Sequence, residues 1–112
     1  MLNYNMMSPW AKSLNDTLPL PEYPRPYLVR DSFLNLNGIW DYEITTVNEI
    51  PKVFSGKIVV PYPLESILSG VRKELGKNEF LCYFKKIELS KDFIKDIVMI
   101  NFGAVNQICD IY

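Results

Sequence analysis

From Leu36 onward the side chains alternate. Trp40, Tyr42 and Ile44 fall on one side of an extended chain, and Asp41 and Glu43 fall on the other. A period of two does not fit a helix, whose faces repeat every 3.6 residues, and it does fit a half-buried strand. Asn37-Gly38 immediately before it is turn chemistry, because glycine tolerates positive φ. Four more stretches read as strands. "GKIVVP" (56–61) is a short apolar run closed by a proline, "FLCYFKKIEL" (80–89) is rich in β-formers, and "QICDIY" (107–112) alternates. "DIVMINFGAV" (96–105) is apolar on both faces, which places it as the central, most buried strand. Five short strands with turn signals between them predict an all-β sandwich or barrel.

Two segments depart from that pattern. Prolines at 19, 21, 24 and 26 lie within eight positions, so residues 1–23 are expected to form an extended, polyproline-like arm. Trp10 and Tyr23 are the side chains able to pin that arm to a surface. In "PLESILSGVRKEL" (63–75), Leu64, Ile67, Leu68, Val71 and Leu75 recur at helical spacing, with Pro63 suited to a first turn. One short helix or helical loop is expected over 64–75, weakened by Gly70 at about 1 kcal/mol against alanine.

Composition narrows the chemistry. The 112 residues are 48% hydrophobic and 22% charged, which is globular composition and one small domain by length. A net charge of −1 gives no basic face for nucleic acid or for an anionic membrane surface. No stretch is long and apolar enough to span a bilayer. There is no histidine, which removes Ser-His-Asp and Cys-His nucleophiles and most transition-metal sites. No metal and no cofactor are expected. Cys82 and Cys109 each lie in an apolar run and read as buried free thiols; a disulfide requires neighbouring strands. The first residues lack a basic region followed by an apolar core, so no signal peptide is read, and reduced thiols point to the cytoplasm.

A resemblance enters with "PRPYLVRDSFLNLNGIWDY" (24–42). This stretch resembles the start of the sugar-binding domain of glycoside hydrolase family 2, which includes β-galactosidases and β-glucuronidases. "IVVPYPLESILSGV" resembles that family's Val-Pro strand end and following loop. "CYFKKIEL" resembles its Tyr-basic-basic strand, and "INFGAVNQICDIY" its Phe-Gly-Ala-Val strand pair. The pieces keep the family's order over residues 24–112. The resemblance implies a jelly-roll β-sandwich of the galactose-binding type, here incomplete. It also implies that further strands, an immunoglobulin-like domain and a TIM barrel with two catalytic carboxylates belong to a parent enzyme. On this reading 24–112 are the N-terminal portion of a non-catalytic domain. Its partners are the downstream domains of the same enzyme and, through them, carbohydrate.

Glycoside hydrolysis needs two carboxyls about 5 to 9.5 Å apart around the scissile bond. Asp41 and Glu43 are the tidiest pair, but they lie opposite the Trp40 face and read as a solvated outer surface. No acid sits in an apolar stretch that would raise its pKa, so no catalytic residue is assigned. In some relatives loops of this domain reach over the barrel mouth, and the matching stretches here are 63–66 and 78–80. Their polar residues, Glu65, Asn78 and Glu79, are the substrate-contact candidates; Tyr62 reads as a packed loop tyrosine. Two other functions compete: an autonomous carbohydrate-binding module, for which a row of exposed aromatics is missing, and a structural β-domain with no sugar role. A sandwich short of strands leaves backbone edges and apolar area uncovered, so the chain by itself is expected to self-associate.

Overall fold

The alternation at Trp40 becomes the middle of a sheet. The computed structural model describes residues 7–25 and 27–112. It contains one antiparallel sheet of three strands, β1 (Gly38–Thr45), β2 (Gly56–Val60) and β3 (Phe80–Phe84), in the order β2-β1-β3. Trp40 stands opposite Ile58 on β2, and Tyr42 stands opposite Gly56 on β2 and Tyr83 on β3. With side chains alternating along each strand, this register gathers Trp40, Tyr42, Ile58 and Tyr83 on one face and Asp41, Glu43 and Lys57 on the other. Gly56 is needed for space: a Cβ there would lie 2.2 Å from the Tyr42 ring. Ile58, with no exposed surface, and Leu64, 3% exposed, are among the buried apolar side chains. The chain is therefore β-rich with almost no helix, and the described residues contain no second sheet facing the first.

The approach to β1 is locked by the arm. The Asn37 side-chain amide donates to the Pro19 carbonyl at 3.1 Å, and that of Asn35 donates to the Leu20 carbonyl at 3.0 Å. Pro19 is fully buried. Gly38, at φ +110°, passes so close to the arm that a Cβ would meet the Thr17 carbonyl oxygen at 2.2 Å. The arm is not a straight polyproline run: Pro9–Ser13 forms a 3-10 turn, and Leu20 has positive φ. Tyr23 does pin it, edge to face with Phe33 at 4.5 Å between centroids, whereas Trp10 is 76% exposed and pins nothing. Residues 1–6 and Pro26 lie outside the described residues.

Three expected elements do not form. Over 64–75 only Ile67–Ser69 forms a 3-10 turn. Ser66 Oγ accepts from the Leu68 N–H. The buried Ser69 hydroxyl binds the Leu64 and Ser66 carbonyls and accepts from Val71 N–H. These local side-chain bonds take the backbone groups a helix would use, and the left-handed Gly70 ends the turn. The stretch 96–105, expected to be the most buried strand, is exposed throughout and forms no ladder, and 107–112 does the same. Apolar residues on both faces describe a strand only when neighbours cover it, and no strand runs alongside these residues. β3 likewise stops at Phe84 rather than continuing to 89. Among the described residues no helix is long and apolar enough to cross a membrane.

Gly38→Ala is expected to cost about 1–3 kcal/mol, because it combines a positive φ with the Thr17 clash; a lowered urea midpoint checks it. Trp40→Ala is expected to lower the midpoint more than Trp10→Ala, by about 3 kcal/mol against less than about 0.5. Equal midpoints would contradict the assignment of Trp40 to the inward face.

Candidate functional site

The polar and aromatic groups of the sheet sort by face. On the outer face Asp41 pairs with Lys57 across the β1–β2 rung, at the protein surface. Glu43 accepts from the backbone N–H of Ser55 at 2.9 Å and also from its hydroxyl. Those two hydrogen bonds hold the Glu43 carboxyl below its ordinary pKa. Both acids of the tidiest carboxyl pair are thus engaged by neighbours on a solvated face, and the Glu43 carboxyl is shifted downward. This is the opposite of what a general acid requires.

On the Trp40 face the groups converge. The Trp40 indole N–H donates to the Leu36 carbonyl at 2.7 Å, which fixes the ring. Tyr83 meets it edge to face, with centroids 6.4 Å apart and planes at 89°. Lys85 Nζ lies 5.6 Å from the centroid of the Trp40 ring while donating to the Ile39 carbonyl at 3.0 Å. Burial, and secondarily the charge of Glu65, push the Tyr83 phenol above its ordinary pKa. The hydroxyl of Tyr62 is buried and has no hydrogen-bond partner among the described residues. An open hollow of about 2710 Å³ adjoins all of these; Trp40, Tyr62, Glu65, Tyr83, Ile100 and Phe102 are among its lining residues.

Of the three substrate-contact candidates, Glu65 and Glu79 line the hollow. Glu65 also lines a shallow pocket of about 350 Å³ with Arg72, Lys73 and Glu74. Glu79 is occupied locally, since its Oε2 accepts from the Gly76 N–H at 2.8 Å and closes the turn before β3. Asn78 is exposed and does not line the hollow. Tyr62 is half-buried, as a packed loop tyrosine should be.

Lys85 was not singled out by sequence. It becomes a neighbour of Trp40 through the β1–β3 register, which places Asp41 against Phe84, and register is not visible in either strand alone. The cysteines are both free, but only Cys82 is partly covered; Cys109 is exposed, because the stretch that carries it has no partner. No group of three or more metal-binding side chains occurs among the described residues. A scan against protein-family models and a search of curated proteins both return no match for this chain.

Because the Glu43 carboxyl is depressed by Ser55, its contribution to stability is present above about pH 4.5, its ordinary pKa, and is lost as pH falls through the lower folded value. Ser55→Ala is expected to return the Glu43 pKa upward toward the ordinary carboxylate range. A carbon-13 titration of the side-chain carboxyl followed by NMR checks it, and an unchanged midpoint would show that Ser55 is not the cause.

Proposed function

We propose that this chain contributes the N-terminal part of a non-catalytic, jelly-roll sugar-binding domain to a glycosidase resembling β-galactosidases and β-glucuronidases of family 2. Its role there is to position a catalytic barrel and to shape the rim of the cleft in which a glycosidic bond is hydrolysed. The observation that carries the reading is the ordered set of four sequence pieces, "PRPYLVRDSFLNLNGIWDY", "IVVPYPLESILSGV", "CYFKKIEL" and "INFGAVNQICDIY". Geometry adds support: the first three of these supply parts of β1, β2 and β3, and β2 and β3 each pair with β1 in one sheet. The fourth is an apolar stretch lining the hollow beside that sheet.

On this reading the Trp40–Tyr83–Lys85 group is the inner support of the domain and the loops holding Glu65 and Glu79 are its rim. Glu65 is the residue placed to reach a sugar hydroxyl, because it is exposed at the lip of the hollow. The general acid and the nucleophile are supplied by the barrel of the parent enzyme, since Asp41 and Glu43 lie on the outer face of the sheet, engaged by Lys57 and Ser55.

The test is the coding sequence 3′ of the Tyr112 codon. An in-frame continuation that encodes a Val-Asn-Gly hairpin, further strands and a barrel with paired carboxylates is expected. A continuation encoding none of these would overturn the proposal. The purified 112-residue chain is expected to release no nitrophenol above a buffer blank from a panel of nitrophenyl glycosides. Release that co-purifies with the chain would place the carboxyl pair within it.

A further inference from the structure

The molecule exposes more surface than its mass warrants. A compact chain of 13.0 kDa exposes about 6300 Å². This one exposes 9907 Å², an excess of about 3600 Å². Its radius of gyration is 16.0 Å, against about 13 Å for a compact domain of this length. Part of the exposed surface is apolar and free of charge. In the ribbon 97–102, Ile97 is 81% exposed, Met99 62% and Ile100 53%, and no residue of the ribbon carries a charge. The second uncovered strip is β3, which pairs with β1 along one edge only. It too is free of charge, and Phe80, Tyr83 and Phe84 are each more than two-fifths exposed. Ribbon and strand line the same hollow, yet they form no ladder with each other.

We propose that two copies of this chain associate reciprocally, each laying its 97–102 ribbon along the free edge of the other's β3. The partner is a second copy because both halves of the contact lie on this chain, one ribbon and one edge per copy. Such an exchange closes on itself with twofold symmetry and leaves no ribbon unmatched. The pairing adds a fourth strand to each sheet, satisfying backbone groups that are otherwise open to water. Obligate interfaces bury roughly 2000–5000 Å² over both partners, and the excess surface of two copies is ample for that. The contact follows from the surface alone and does not depend on the sugar-binding reading.

Sedimentation velocity of the 112-residue chain over a hundredfold concentration range tests the association. The expected result is a shift from monomer to dimer with rising concentration. Ile100→Lys should move the midpoint at least tenfold upward, and Val53→Lys should leave it in place; Val53 is 71% exposed but does not line the hollow. Hydrogen exchange at the two ends of the range locates the contact independently of any variant. Protection at 97–102 and at 80–84 should rise together with concentration. A monomer at every concentration overturns the proposal. Ribbon protection that is complete in the monomer also overturns it, because the ribbon is then covered by its own chain. Association that Ile100→Lys and Val53→Lys weaken equally overturns it as well, since it is then not centred on the ribbon.

Discussion

The sheet of this molecule depends on β1 being paired along both edges, and the two pairings are staggered. β2 covers β1 from Gly38 to Tyr42, and β3 covers it from Asp41 to Thr45. Only Asp41 and Tyr42 are flanked by strand on both sides. The most secure backbone therefore lies directly beside Trp40, whose indole is fixed by the Leu36 carbonyl and contacted by Tyr83 and Lys85. The outer strands have one neighbour each, so their other edges depend on whatever next meets them.

The arm is the second constraint on β1. Asn35 and Asn37 bind successive arm carbonyls, and Gly38 lets the chain pass beneath them. The sequence "NLNG" thus performs two tasks at one place: it turns the chain into the strand and it seats residues 17–20. A bulkier residue at 38 disturbs the arm and the first rung of the sheet together.

Legibility followed locality. The strand at 38–45 was readable because its alternation matches its one-sided environment, and 56–60 was bounded by a glycine and a proline that act on their own backbone. The helical spacing over 64–75 misled, because Ser66 and Ser69 compete for the same backbone groups and hydroxyl bonding leaves no periodic trace. The stretch 96–105 misled for a different reason. Its composition describes affinity for a neighbour, and composition cannot say whether that neighbour is present. At the site, Glu65 was named only through the loop that the family resemblance implies, and the solvated character of Asp41 and Glu43 followed from their strand parity. Lys85 and the buried Tyr62 hydroxyl were not readable, since each depends on which strands or loops lie side by side.

The contrast between the two indoles has an optical consequence. Trp10 stands in water, 76% exposed, while Trp40 is half-buried, with an ammonium over its ring and a phenol at its edge. Their emission therefore separates by wavelength: the red component belongs to the arm and the bluer component to the sheet. A soluble quencher such as iodide reaches the first far more readily than the second. The chain thus carries its own two-colour reporter, in which loss of the blue component marks the opening of β1.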